Sequence, residues 1–158
     1  MLSFGTRDAN ASYRHRPGAY AVILNKAGEL AVIDPGGTYF LPGGGQEGSE
    51  SADQALRREL LEELGVAAEE TVKLFVIEEY IHSWKRDEYF RIEGTYYYVA
   101  RYAVVAVPAD KSHEVRWVSP EKAQSRLERH GQSWIVGEVL RRLRQSESLD
   151  SWRPSISL

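Results

Sequence analysis

Apolar and aromatic residues occur in runs along most of this chain, and polar or glycine-rich segments separate the runs. Runs of this length, rich in β-branched and aromatic side chains, are typical of β-strands. They predict strands over residues 18–24, 30–34, 39–41, 71–82 and 114–118, and over 89–107, which is either one bent strand or two. The residues between the first two strands, Asn25–Glu29, have the composition of a hairpin turn.

The segment between Ser49 and Gly65 differs, because its apolar residues recur at helical spacing. Ser49 or Ser51 can cap the helix, Asp53 favours its first turn, and Gly65 is placed to end it. A glycine-rich turn over residues 41–45 leads the chain towards this helix. The apolar side of the predicted helix carries Leu56, Leu60 and Leu64.

Two more helices are predicted towards the C-terminus. One covers about residues 120–129 and the other covers residues 133–144, with His130–Gly131 as the break between them. Residues 1–16 are polar and predict an extended N-terminal arm or a short edge strand, and residues 145–158 predict a flexible tail. This order of elements predicts an α/β fold in which helices cover both faces of a mixed, curved β-sheet.

Composition narrows the class of protein. The length of 158 residues predicts a single domain over residues 1–158, and the net charge of −3 argues against a general nucleic-acid-binding protein. The absence of cysteine excludes disulfides, thiol nucleophiles and cysteine zinc sites. The N-terminus lacks the apolar core of a signal peptide, and no run reaches the ~18 apolar residues of a membrane span. We therefore expect a cytoplasmic protein with neither nucleic-acid nor membrane partners.

The polar side of the helix that ends at Gly65 concentrates negative charge. Glu59, Glu62 and Glu63 stand at i, i+3 and i+4, so they share one face and repel by a few tenths of a kcal/mol per pair. Arg58 can pair with Glu62, but no other cation on the helix is placed to serve the remaining two acids. Mg²⁺ would serve them, because it prefers oxygen ligands and is typically shared between carboxylates and phosphates. The alternative is an ordinary solvated acidic face.

The segment from Gly44 to Val66 resembles the Nudix box, G-x5-E-x7-R-E-U-x-E-E-x-G-U with U aliphatic. Every specified position is filled, by Gly44, Glu50, Arg58, Glu59, Leu60, Glu62, Glu63, Gly65 and Val66. The resemblance implies a Nudix-type α/β/α sandwich and a Mg²⁺-dependent pyrophosphohydrolase. Its substrate would be a nucleoside diphosphate linked to another moiety, cleaved by water attack at phosphorus. A catalytically silent Nudix domain that senses a nucleotide is the alternative; a prenyl diphosphate isomerase would need a cysteine.

Residue roles can be carried over position by position from this resemblance. Glu62 and Glu63 would be metal ligands, and Glu59 would be a ligand or the general base. The backbone carbonyl of Gly43 or Gly44 would complete the metal shell, because a glycine lets the main chain approach closely. The implied ion is Mg²⁺, with Mn²⁺ as an alternative.

Other residues would surround that metal. Glu50 would support the catalytic site from outside, and Arg58 would orient the carboxylates by bidentate hydrogen bonds. A further carboxylate from a late loop acts in several family members, and Asp110 and Glu114 are the candidates here. Candidate substrate contacts are Arg16, Phe40, Leu41, Pro42 and Tyr80.

The sequence does not identify which nucleotide derivative is the substrate. Ile81 stands where ADP-ribose hydrolases of the family tend to carry proline, and Asp34 stands where many triphosphate-cleaving members carry arginine. The tyrosine typical of diadenosine polyphosphate hydrolases is also missing, because residues 82–84 are His, Ser and Trp. We expect a small nucleotide-type substrate, and an open sheet edge would suit a homodimer.

Overall fold

The strands are long and the helices few in the computed structural model, which describes residues 1–145. The elements in chain order are β1 (Leu2–Phe4), β2 (Tyr13–Ile23), β3 (Leu30–Asp34), β4 (Gly43–Gly45), α1 (Ala52–Leu64), β5 (Val66–Ser83), β6 (Glu88–Val104), β7 (Glu114–Val118), α2 (Pro120–Arg126) and α3 (His130–Arg144). The predicted tail lies outside the described residues except for Gln145, and the single-domain organisation stays a prediction.

Five strands form one sheet in the order β1-β5-β6-β2-β4, while β3 and β7 form a separate antiparallel pair. The first sheet is mixed, because β1 runs parallel to β5 and β2 runs parallel to β6, whereas β5 with β6 and β2 with β4 are antiparallel. Register shifts between Ala68 and Val76 mark β-bulges in the long β5–β6 pair. Bulges of this kind bend a strand and increase its local twist.

Alternation along β2 divides the core between the two faces of the sheet. Ala21 and Ile23 point to one face and pack in a buried cluster with Leu60 of α1. Val22 points to the other face and lies in a second cluster with Ile135 of α3. Helices therefore cover both faces, and the predicted α/β/α arrangement with a mixed sheet is confirmed.

Local interactions fix both ends of α1. Ser51 is the cap: its hydroxyl accepts from the Gln54 backbone N–H at 3.1 Å, and the Gln54 side chain accepts from the Ser51 N–H at 2.9 Å. Gly65 ends the helix with φ at +67°, a left-handed conformation that glycine adopts without penalty. The chain then enters β5 at the next residue, so the helix and the longest strand are joined without a loop.

Two predictions near the N-terminus need correction. Of the two alternatives predicted for residues 1–16, the short edge strand is present at Leu2–Phe4, but the segment ends earlier than predicted, because Tyr13–Arg16 already belong to β2. The polar character of this part of β2 hid it, because its side chains are mostly exposed. The turn predicted at Asn25–Glu29 is present, since the Asn25 N–H donates to the Glu29 carbonyl at 2.9 Å. Its two strands do not pair along their length, however: one bridge, Leu24 with Leu30, joins them, and β3 pairs with the distant β7.

Two further differences concern glycines. The predicted glycine-rich turn is partly extended, since Gly43–Gly45 form β4 and pair with β2. His130–Gly131, predicted as a break, instead begin α3. The N-cap residue, Arg129, makes no side-chain capping bond to this helix. Instead, the buried Glu79 carboxylate accepts from the Gly131 N–H at 3.2 Å. Because this acceptor comes from a distant strand, the sequence around residue 130 does not indicate that a helix begins there.

Candidate functional site

Backbone and carboxylates meet closely where β4 runs past α1. A Cβ on Gly43 would lie 2.1 Å from the Ala19 carbonyl oxygen, and one on Gly44 would lie 2.5 Å from Glu59 Oε1. Gly43 therefore has no room for a side chain against the neighbouring backbone, whereas a side chain at Gly44 would have to displace the Glu59 carboxylate. The Gly43 N–H donates to Glu63 Oε1 at 2.8 Å, which ties the end of the acidic face to the strand.

Arg58 links the acids to one another and to β4. Its Nε and Nη2 donate to the two carboxylate oxygens of Glu50 at 2.7 and 3.0 Å, and Nη2 also donates to the Gly45 carbonyl at 3.0 Å. Its Nη1 lies 3.1 Å from Glu59 and 3.4 Å from Glu62. The pairing with Glu62 is present, but the expectation that no cation on the helix serves Glu59 is wrong, because the Arg58 guanidinium also reaches that carboxylate. The pairing with Arg58 lowers the pKa of Glu50.

The charges of Glu63 and Glu59 stay poorly compensated, even with Arg58 beside Glu59. Burial raises the pKa of Glu63 to about 8; the Gly43 N–H opposes this shift, while the nearby Glu59, Asp110 and Glu62 add to it. Burial also raises the pKa of Glu59, against the effect of Arg58. These carboxylates lie near enough to disfavour one another's charge, as like charges do in a shared site.

The donor set suits a hard divalent cation. Among residues 1–145 no three acidic or histidine side chains already converge on a common metal position. Glu62 is half exposed, and an exposed side chain changes rotamer on the picosecond to nanosecond scale, so it can turn towards Glu63. Carboxylates with uncompensated charge, beside glycine carbonyls, are the oxygen ligands that Mg²⁺ takes. The residues present therefore fit such an ion.

Two cavities adjoin this acidic face. The first, about 400 Å³ and here called the acid cavity, is lined by Glu59, Glu47 and Gly45 among others. The second, about 470 Å³ and here called the inner cavity, is lined by Glu63, Phe40 and Gln132 among others. Lining residues common to both are Arg16, Tyr20, Gly45 and Ile92. The two cavities therefore form one cleft that crosses the glycine strand.

The structure brings most of the sequence-predicted site residues to this cleft. Residues at or beside the acidic face are Gly43, Gly44, Glu50, Arg58, Glu59, Glu62 and Glu63. Arg16, Phe40 and Leu41 line the inner cavity. The Asp110 backbone N–H donates to the Glu62 carbonyl at 2.9 Å, which holds its loop against the end of α1.

Three predicted contacts lie elsewhere. Pro42 is buried and its carbonyl accepts from the Ala21 N–H. Tyr80 packs edge-on against Tyr13. Ile81, the next residue of the strand, lines the inner cavity instead, because successive strand residues point to opposite faces. Glu114 pairs with Arg116 at 2.9 Å on the exposed side of β7.

Sequence reasoning missed several residues of the inner cavity. Arg129 and Gln132 line it from the start of α3, and His113 lines it from the loop before β7. Arg129 is held by a buried ion pair with Glu79 at 2.6 Å. The one available signal was Glu79 itself, a charged residue in phase with the buried Phe75 and Ile77 on β5.

A family model described as the NUDIX domain matches residues 14–141. The chain belongs to the Nudix family. As a Nudix hydrolase it acts on phosphoanhydrides, and small nucleotide-type compounds are the substrates of the family. A comparison with curated proteins finds no match to this Nudix chain. Homodimer formation and a cytoplasmic location stay predictions; none of the helices over residues 1–145 combines the length and apolarity needed to cross a membrane.

Solved structures similar to this Nudix chain include three MutT proteins. A structure of MutT from work on Aliivibrio salmonicida and Vibrio cholerae has 19% identity and a TM-score of 0.61, covering 82% of this chain and 99% of that one. MutT from Bacillus halodurans has 15% identity and a TM-score of 0.64, covering 79% and 82%. The MutT Nudix hydrolase from Burkholderia pseudomallei has 24% identity and a TM-score of 0.60, covering 80% and 98%. At such identities the likeness shows the fold alone.

Proposed function

We propose that this Nudix hydrolase is a Mg²⁺-dependent pyrophosphohydrolase that cleaves the phosphoanhydride of a nucleoside diphosphate linked to another moiety, by attack of water at phosphorus. One observation carries the proposal: Glu59 and Glu63, each with a raised pKa, lie against the backbone of β4 inside a cleft. A bound metal ion would supply the positive charge that this arrangement lacks, and the pyrophosphate would supply further oxygen ligands to that metal.

The metal would be held by Glu59, Glu62 and Glu63, with the carbonyl of Gly43 or Gly44 completing its shell, and Mn²⁺ would serve as an alternative ion. When bound, Mg²⁺ neutralises phosphate charge and lowers the pKa of coordinated water. Glu59 acts either as a ligand or as the general base that takes the proton from the attacking water.

Positioning falls to other residues. Glu50 holds Arg58 through two hydrogen bonds, and Arg58 in turn fixes the Glu59 carboxylate at 3.1 Å. Arg16, which lines both parts of the cleft and covers the Phe90 ring at 4.3 Å, offers a cation to the anionic substrate. Each cavity lies within the size range of small-ligand pockets, roughly 300–1,000 Å³.

The test is a phosphate-release screen over nucleotide sugars, dinucleoside polyphosphates and nucleoside triphosphates, with Mg²⁺, Mn²⁺ or EDTA. Glu62→Gln should lose most turnover, by about 100-fold or more, because it removes one charged ligand. Glu114→Gln should lose less, since that carboxylate faces Arg116. The matched control is Glu121→Gln, an exposed acid on α2 that pairs with Arg144.

Three outcomes decide the proposal. Metal-dependent turnover that falls in Glu62→Gln but persists in Glu121→Gln supports it. Equal activity of the wild type and Glu62→Gln rejects the assigned metal site. Nucleotide binding without turnover under any metal condition would instead favour the sensor alternative.

A further inference from the structure

The turn between β5 and β6 places an exposed tryptophan at one end of the sheet. Trp84 is 85% exposed, the largest fraction among the large hydrophobic side chains of residues 1–145. Lys85 and Arg86 follow it, and both side chains are exposed. These three residues are here called the hairpin tip. Tryptophan and arginine are enriched among the residues that carry most of the binding energy at protein interfaces, so the hairpin tip has the composition of a contact surface.

Neighbouring rings support the tryptophan. The centre of the Trp84 ring lies 4.1 Å from that of His82, and His82 stacks on Tyr89 with 4.2 Å between the ring centres. His82 Nε2 also lies 2.9 Å from an Asp87 carboxylate oxygen, which links the two ends of the turn. Because these contacts already limit the conformations of Trp84, its side chain would lose little entropy on binding a partner.

A cavity of about 640 Å³ lies beside the hairpin tip and is here called the end cavity. Its lining consists of residues 10–14 together with Asp87, Glu88 and Tyr89. Tyr89 connects the two features, because it lines the end cavity and also stacks on the histidine that supports Trp84. None of these lining residues belongs to the acid cavity or to the inner cavity. The end cavity is therefore separate from the cleft.

The hairpin tip and the end cavity have complementary chemistry. The end cavity contains the carboxylates of Asp87 and Glu88, whereas the tip carries two cations that have no acid partner among the described residues. The rings of Tyr13 and Tyr89, whose centres lie 5.4 Å apart, offer apolar surface to an indole ring. Arg14 lines the same cavity and can stack on the face of that indole. A tip of this kind therefore suits a cavity of this kind.

We propose that two copies of this chain associate at this end of the sheet, with Trp84 of each copy in the end cavity of the other. The occupant is a second copy because one chain carries both the basic, aromatic tip and the acidic, aromatic cavity. Both features lie at the same end of the sheet, so a single two-fold axis makes the two contacts together and closes the assembly. An aromatic side chain buries roughly 150–250 Å², so two of them fall well below the ~1,200 Å² of a stable interface, and we expect a weak, micromolar dimer.

Sedimentation velocity over roughly 1–500 µM protein tests this association, because dimers with small interfaces dissociate in the micromolar range. The wild type should change from monomer to dimer as its concentration rises. Trp84→Ala should raise the dissociation constant at least about tenfold, since it removes the central aromatic contact. Val107→Ala is the matched control: Val107 is 76% exposed in the loop after β6, and its replacement should leave the dissociation constant within about twofold.

The charges of the tip are tested separately. Lys85→Gln combined with Arg86→Gln should weaken the dimer about threefold or more and reduce its salt dependence, because the cations that face the end cavity are lost. Lys111→Gln combined with Lys122→Gln removes the same charge from exposed positions elsewhere and should leave the dimer unchanged. All of the replaced side chains are exposed, so we expect every variant to fold, and thermal unfolding verifies this.

Photo-crosslinking locates the contact. With benzoylphenylalanine at position 84, crosslinks should reach residues 10–14 or 87–89 of another copy, identified by mass spectrometry of mixed isotope-labelled and unlabelled protein. A wild type that stays monomeric at about 500 µM overturns the inference and leaves the end cavity to another occupant. A dimer that persists in Trp84→Ala, or that crosslinks only elsewhere, also overturns it. None of these results bears on the proposed function, because Trp84 does not line the cleft.

Discussion

Replacing Gly44 with alanine tests whether the position of the Glu59 carboxylate sets the rate. The new Cβ would lie 2.5 Å from Glu59 Oε1, and ordinary contact begins at 3.4 Å, so the carboxylate must move by about 0.9 Å. A displacement of about 1 Å in a catalytic group can cost about 100-fold in rate, or roughly 2.7 kcal/mol of transition-state stabilisation. We expect kcat for the best phosphoanhydride substrate to fall by that order.

Stability should change little in the same variant, because the group that moves is the far end of a flexible side chain rather than backbone. Urea unfolding should show a loss below about 1 kcal/mol. Gly45→Ala is the matched comparison on the same strand: its Cβ would meet only the Pro17 carbonyl, at 3.8 Å, so the loss of kcat should be much smaller. If Gly44→Ala keeps a third or more of the wild-type kcat, the position of Glu59 does not control the reaction and the reasoning fails.

Three other predictions concern the charged groups. Arg58→Lys removes the bidentate contact with Glu50, so kcat/KM in steady-state assays should fall about 10–100-fold with Tm nearly unchanged. Arg129→Met leaves the buried Glu79 without its partner, so urea unfolding should show a loss of about 3–5 kcal/mol. In metal-free protein, folded Glu63 keeps its proton up to a pKa of about 8, whereas the unfolded chain loses it near 4.5. The folded state therefore binds more protons between these pH values, and the free energy of unfolding should fall as pH rises from about 5 to 8.

Each of these expectations has a clear contrary result. Wild-type kinetics in Arg58→Lys would show that a point charge suffices there. An Arg129→Met protein as stable as the wild type would mean that Glu79 finds another partner or takes up a proton. For the pH series the control is Glu63→Gln in EDTA, which should lose the dependence; an equal slope in the variant would assign it to another group.

The sequence predicts the acidic face well because that face is local. Capping by Ser51, leucines at helical spacing and the stop at Gly65 all act within one helix, so i, i+3 and i+4 spacing alone places the three glutamates together. The Arg58 contacts were only partly predictable, since its partners Glu50 and Gly45 lie in the preceding loop and strand, whose path depends on packing against β2.

The inner cavity could not be predicted in the same way. Glu79, Arg129 and Gln132 come from β5 and the start of α3, and only the completed fold brings them together. Tyr80, an expected substrate contact, packs against Tyr13, while Ile81 lines the inner cavity; a shift of one residue along a strand reverses the face a side chain points to, and the sequence alone did not define that phase. Pairing of β3 with β7 likewise depends on a contact across most of the chain.

The parallel alignment of β2 with β6 also affects how the protein is made. Tyr13 pairs with Tyr89, about 76 residues later, so at roughly 5–20 residues per second the ribosome delivers the partner about 4–15 s after β2. During that interval one side of β2 has unpaired backbone groups, and exposed strand edges of this kind promote aggregation. Arg14 and Arg16, at the exposed end of β2, place positive charge on this unpaired strand, and such charge opposes pairing with another chain.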